Sequence, residues 1–186
     1  MSTTIAFLGP AGTFTEAAMQ RFAADLGETQ PLPVGSPKEA LAAVRSGKAD
    51  YACVAIENSV DGPVTATFDA LADGTQVQIY REVDLPVSFS ILTRGKSAKE
   101  IKTLSTHPVA YQQVRGWLEE NLPGVEYVPA ASNGAAAQAV ARGEVDAAAA
   151  PARAGDIFEL ESLAENVADV AGATPRFVLV GPAGRP

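Results

Sequence analysis

The feature that most constrains this chain is a repeat within it. A shift of 96 residues lays Ile5 and Leu8 on Ile101 and Leu104, Pro33 and Ser36 on Pro129 and Ser132, and Val44, Gly47 and Asp50 on Val140, Gly143 and Asp146. The alanine matches (Ala40/Ala136, Ala43/Ala139, Ala52/Ala148) weigh less in so Ala-rich a chain. The other matches fall at punctuation: a strand, a helix cap, a helix stop and the entry to the next strand. One constant offset therefore predicts two β-α-β-α-β units, residues 5–56 and 101–150. Between them Val64 to Leu71 reads as a helix and Val77 to Thr93 as an extended segment able to pass from one unit to the other, with Pro86 marking an edge or the crossing. After the second unit, Ala152 to Leu163 reads as helix. Arg176 to Gly181 reads as a strand with no partner in that unit, and is expected to return to the first.

Two α/β lobes joined by two crossings are the build of type 2 periplasmic-binding-protein-like folds, whose ligands sit in a central cleft. The expected lobes are residues 1–83 plus 168–186, and 84–167. In the first, Ile5 to Leu8 is a strand, Gly9-Pro10-Ala11-Gly12 a turn, and Thr13 to Leu26 a helix with apolar Phe14, Ala17, Ala18 and Phe22. Thr13 or Thr15 is the candidate N-cap, with Glu16 completing a capping box with Thr13. Such a helix start suits a carboxylate or phosphate. The loop lacks the Gly-Lys-Ser/Thr of a P-loop and is not GxGxxG, which argues against a nucleotide. Leu32 to Val34 is the next strand. Ser36 caps a helix over residues 37–46 that Gly47 ends.

The stretch from Tyr51 to Leu71 then concentrates polar groups at a strand end. Apolar Ala52 to Ile56 gives way to Glu57-Asn58-Ser59 and Asp61-Gly62-Pro63. The C-terminal ends of strands in open α/β sheets are where ligands bind; equally, Asn58, Ser59 and Asp61 could be turn residues capping the helix that starts near Val64. In the second unit, Ser105-Thr106-His107-Pro108 takes the place of the glycine loop and opens a helix over Val109 to Glu120, with Gln112 and Gln113 in its first turn. Ser132-Asn133-Gly134 forms the next cap. The inventory is donors with little charge. His107, the single histidine, suits helix capping at least as well as catalysis, no cluster has metal-ligand spacing, and Trp117 and Phe22 read as core.

Composition narrows the partners. A chain of 186 residues with 47% hydrophobic and 19% charged residues buries a real core, and its net charge of -8 disfavours nucleic acid and anionic membranes. No apolar run reaches membrane-spanning length and the first residues are not a signal peptide, so a cytoplasmic, soluble protein is expected. The one cysteine, Cys53, lies in a strand and reads as a small core residue.

Five motifs, in order, carry a resemblance: IAFLGPAGTFTEAA at 5–18, IENSVDGPV at 56–64, STHPVAYQQ at 105–113, SNGAAAQAV at 132–140 and PRFVLVG at 175–181. Over essentially its whole length the chain resembles the catalytic domain of prephenate dehydratase. The resemblance implies decarboxylating dehydration of prephenate to phenylpyruvate in phenylalanine biosynthesis, with no cofactor or metal, and, by analogy, a homodimer. It maps Asn58, Thr106 and Gln113 onto polar active-site positions and Arg176 and Phe177 onto the end of the family's Thr-Arg-Phe motif; with the polar groups read above, the candidate site is Thr174, Arg176, Thr106 and Gln113 for catalysis and Asn58, Ser59, Gly12, Thr13, Phe177, Ser132 and Asn133 for substrate binding. Two departures stand out. The family's Thr-Arg-Phe is Pro175-Arg176-Phe177 here, removing the hydroxyl thought to protonate the leaving group, with Thr174 displaced by one and Ala173 in place of an Asn. The chain also ends with no room for the regulatory ACT domain, so feedback through such a domain is not expected unless the chain is a fragment. Alternatives are a decarboxylase that keeps the ring hydroxyl, or an inactive module that binds a small acid.

Overall fold

The computed structural model describes residues 1–11, 13–59, 62–86, 88–169 and 174–184. The chain divides into two compact units: Met1–Gly9 with Phe14–Pro86 and Gly172–Pro186, and Pro10–Thr13 with Val87–Ala171. The class is α/β, and each unit carries one sheet.

In the first unit the elements run β1 (Thr3–Leu8), α1 (Phe14–Ala23), β2 (Thr29–Val34), α2 (Pro37–Arg45), β3 (Tyr51–Asn58), the short β4 (Gly62–Pro63), α3 (Thr65–Ala72), β5 (Val77–Asp84) and, from the far end of the chain, β11 (Pro175–Pro182). The sheet order is β2-β1-β3-β11-β5, with β2, β1 and β3 parallel and β11 antiparallel to both neighbours. Strand side chains alternate between faces. Ala6, Ala52, Val54, Val178 and Val180 meet Leu41 and Val44 of α2 on one face. Ile5, Phe7, Cys53, Phe177 and Leu179 meet Met19 and Phe22 of α1 on the other. A strand apolar on both faces needs a helix over each, and the chain supplies them.

The second unit holds β6 (Ser90–Thr93), a 3₁₀ turn (Ala98–Glu100), β7 (Thr103–Thr106), α4 (Pro108–Asn121), β8 (Glu126–Pro129), α5 (Asn133–Ala141), β9 (Ala147–Ala150), α6 (Ala152–Phe158) and β10 (Glu161–Ala164). Its order, β8-β7-β9-β6-β10, repeats that of the first unit: three parallel strands, then an antiparallel one contributed from across the repeat boundary, then an edge. The two similar α/β units expected from the repeat are therefore present. Their helix caps coincide in detail. Ser36 Oγ accepts from Glu39 N at 3.1 Å and Ser132 Oγ from Ala135 N at 3.0 Å. Gly47 and Gly143, with φ of 79° and 76°, end α2 and α5 in the left-handed region that glycine adopts without strain.

The offset itself is not constant. Ala6 pairs with Ala52 in the first unit and Ser105 with Ala148 in the second, so the first strands are related by 99 residues while the later elements keep 96. Ile101 thus precedes β7, and Ser105 and Thr106 are strand residues, not the counterparts of the glycine loop. Other expectations also shift. Glu57 and Asn58 remain in β3 because they still pair with Arg176 and Pro175. The helix predicted to reach Leu163 stops at Phe158, where Glu159 turns left-handed (φ 54°) and β10 begins. The extended stretch over 77–93 is two strands, broken before Ser90. The N-cap of α3 is Val64, with no side-chain cap bond, and Asp61 lies outside the described residues. Trp117 is half-buried, whereas Phe22 and Cys53 are core.

Candidate active site

In the first unit the site residues gather at the C-terminal edge of the parallel strands. Between Ala55 and Glu57 the β3–β11 register slips by one residue: Phe177 faces Ala55, but Arg176 faces Glu57, leaving Ile56 as the extra residue of a bulge. A bulge re-aims the side chains beyond it. Here it sets the Glu57 carboxylate beside Arg176 where an unbroken ladder would have set the Ile56 side chain. Past the strand end, Ser59 continues the pairing: its N–H donates to Thr174 O at 3.4 Å and its Oγ accepts from Thr174 N at 2.9 Å. On the other side Leu85 N donates to Pro175 O at 3.0 Å. Pro175 is the first residue of a central strand, the place where a missing N–H does least harm to a ladder.

These strands enclose a pocket of about 160 Å³ lined by Glu57, Ser59, Asp84, Thr174 and Arg176. Arg176 is 44% exposed; its Nε donates to Asp84 Oδ1 at 3.1 Å and its Nη1 lies 3.9 Å from Glu57 Oε2. The Asp84 hydrogen bond and charge, with smaller help from Glu82 and Glu57, push the guanidinium pKa up, so it keeps its charge. Held through Nε, an arginine can still turn its terminal nitrogens to a planar anion. Phe177 points away from this pocket: at 3% exposure it is core, packed with Phe7, Cys53 and Leu179. Burial raises the Cys53 thiol far above its ordinary pKa, which leaves it no nucleophilic role.

In the second unit the polar residues also collect at the C-terminal edge of the parallel strands. Thr106 ends β7 and is 0% exposed; its hydroxyl lies 2.8 Å from Ala149 O and 3.1 Å from Asn133 Oδ1. A hydroxyl has one proton for these two acceptors. Asn133 Oδ1 also accepts from His107 N at 3.2 Å, so Asn133, the first residue of α5, ties the starts of both helices together. His107 caps α4, its Nδ1 accepting from Val109 N at 3.2 Å. Behind them Tyr127 donates to Thr106 O at 3.2 Å and stacks on Tyr111 with ring centroids 3.9 Å apart. Gly134 packs on Pro10 and Ala11, where a Cβ would overlap the Ala11 carbonyl oxygen. Thr13 is buried, and Gly12 and Ala173 lie outside the described residues. Gln113 sits on α4 with Oε1 buried and unpartnered among the described residues.

The family model described as prephenate dehydratase matches residues 5–185. The chain belongs to the prephenate dehydratase family. The prephenate dehydratase of Corynebacterium glutamicum is 56% identical over 184 residues, covering 96% of this chain and 58% of that protein. The chain thus spans less than two thirds of the length of the curated family members it matches. Among solved structures, the Arthrobacter aurescens prephenate dehydratase in complex with L-Phe superposes with a TM-score of 0.88 at 42% identity, over 98% of this chain and 61% of that one. GqqA, described as a novel type of quorum quenching acylase, superposes at 0.81 and 32% identity, over 98% and 64%. The candidate site residues fall into two groups, one per unit: Asn58, Ser59, Thr174 and Arg176 around β3 and β11, and Thr106, Gln113, Ser132 and Asn133 around β7, α4 and α5. The sequence reading missed Asp84. As one carboxylate at a strand end it carried no signal until β11 was placed beside β5.

Proposed function

We propose that this chain is a prephenate dehydratase, the activity for which its relatives are named, and that it removes carbon dioxide and water from prephenate to give phenylpyruvate. The observation that carries the reading is the strand-end pocket that the Arg176 guanidinium, held by Asp84 and Glu57, lines together with Ser59 and Thr174. Prephenate carries two carboxylates and a ring hydroxyl. As the ring carboxylate leaves as carbon dioxide, the electron pair of the broken C–C bond enters the ring and the C–O bond breaks. The departing hydroxide takes a proton and leaves as water. Aromatisation supplies the driving force, so the protein has to hold the anion and assist the leaving group. In this reading Arg176 binds a carboxylate through its terminal nitrogens, Thr174, the residue before Pro175, supplies the hydroxyl, and Thr106 holds Asn133.

Turnover of prephenate, followed by ultraviolet absorbance and product mass, tests the reading. The wild-type chain should form phenylpyruvate, and Thr174→Val should slow it about a hundredfold or more, the usual range for a positioned proton donor. A decarboxylated product that keeps its hydroxyl would replace the reading with a non-aromatising decarboxylase. Binding without turnover would replace it with a small-acid binding module.

A further inference from the structure

In an α-helix each backbone N–H bonds the carbonyl four residues earlier, so the Trp117 N–H and the Gln113 carbonyl are natural partners. In α4 both bond Asp169. The Asp169 N–H donates to Gln113 O at 2.7 Å. Its carboxylate accepts from Trp117 N at Oδ1 and from Gly116 N at Oδ2, each at 2.7 Å. Asp169 thus bonds, main chain and side chain together, both groups of one rung of a helix that continues for a full turn beyond it. Bonds from N–H to a carboxylate are among the stronger kind, and two converge here with a third, neutral one. Gly116 makes the close approach possible: a Cβ at that position would stand 2.9 Å from Asp169 Oδ1 and 3.0 Å from its Cγ.

The same turn of helix carries Gln113, whose Oε1 is buried and without a partner among the described residues. An unpaired buried acceptor is unfavourable, and a mobile side chain would turn it to water. We propose that Asp169 is the positioning residue of Gln113: by gripping the backbone at residues 113, 116 and 117 it holds that amide oxygen ready to accept a hydrogen bond from a ligand hydroxyl. The helix turn is pinned from outside, which fixes the point and direction from which the Gln113 side chain extends. This rests on the dehydratase reading for the identity of the hydroxyl, and on the geometry of α4 alone for the grip.

Two measurements separate those dependencies. The first needs no activity. In Asp169→Asn, which puts an amide N–H₂ where one backbone N–H now finds an oxygen, the Gln113 side-chain amide resonances should shift and the Gly116 and Trp117 amides should exchange faster. The fluorescence of Trp117, the only tryptophan, should change with them. Gly116→Ala, although alanine favours helix, should do the same by displacing the carboxylate. Unmoved Gln113 resonances in both variants overturn the proposal. The second uses prephenate turnover. Asp169→Asn should lower kcat about ten- to a hundredfold with KM nearly unchanged, the scale of a small misplacement of a positioned group. In the Gln113→Ala background the same substitution should cost little more, because two residues acting through one contact are not additive. A full multiplicative loss there assigns Asp169 a general structural role and overturns the proposal. A wild-type chain that leaves prephenate unchanged refutes the dehydratase reading alone, and the resonance measurement then decides for Asp169.

Discussion

Arg176 shows how a residue's role is set by its neighbours. Its charge is balanced by Asp84 at 3.1 Å and Glu57 at 3.9 Å, so the pocket bears more negative than positive groups before a ligand arrives. Half-exposed pairs of this kind add little stability. Their effect is on orientation, and the cost of losing the arginine should therefore appear in substrate handling. Arg176→Ala should lower kcat/KM at least tenfold while leaving the urea midpoint within experimental scatter. An unchanged kcat/KM would make Arg176 an ordinary surface residue. Pro175→Thr returns an N–H and places a hydroxyl beside Arg176, where the family resemblance expects one. It should raise phenylpyruvate formation, and an unaltered rate would show that the hydroxyl on this strand is not limiting.

Among the elements, β7 depends on a carboxylate that follows it in sequence. Asp146 Oδ2 accepts from Lys102 N at 2.9 Å, Thr103 N at 3.1 Å and Thr103 Oγ1 at 3.2 Å, and Oδ1 meets Lys96 Nζ at 2.5 Å. The Lys96 contact first, then the backbone N–H groups, hold the Asp146 carboxyl well below the usual carboxylate range. In the first unit Asp50 does the same for β1, accepting from Thr4 N at 2.8 Å. Asp146→Asn should destabilise the protein by about 1–3 kcal/mol at neutral pH, as loss of a satisfied acceptor does. Because the folded pKa lies below the unfolded one, the carboxylate's contribution is complete above the unfolded value of about 3.9 and is lost as pH falls through the folded value. Urea titrations of wild type and variant should therefore keep a constant gap from neutral pH down to about pH 5, and the gap should close only in stronger acid.

For the molecule as a whole, β11 is the decisive strand. It comes from the end of the chain yet lies in the middle of the first unit's sheet, paired with β3 along residues 175–180 and with β5 along 176–182. Without it β5 has no neighbour, and Val54, Phe7 and Cys53 lose the cover of Val178, Phe177 and Leu179. A chain truncated after residue 173 should lose protection from hydrogen exchange throughout β1, β3 and β5. Strands β6 to β9, whose pairings lie wholly upstream, should keep theirs. Retained protection in β3 would show that the parallel half of the sheet stands without β11.

The two similar units, the serine caps and glycine stops of α2 and α5 and the return of the last strand were legible in the sequence, because each is written in local chemistry or in its recurrence. Ser36, Gly47, Ser132 and Gly143 act through backbone groups within a turn of themselves, and the short, partly β-branched apolar runs at Ala52 and Phe177 read as strands covered on both faces. The tertiary structure alone decided where these strands slip and what crosses them. The bulge at Ile56, the 99-residue offset of the first strands, the pairing of Arg176 with Asp84 and the bonding of Asp169 to α4 join residues far apart in the chain. Strand register and the contacts of a charged side chain depend on what lies alongside, and a sequence records only what lies before and after.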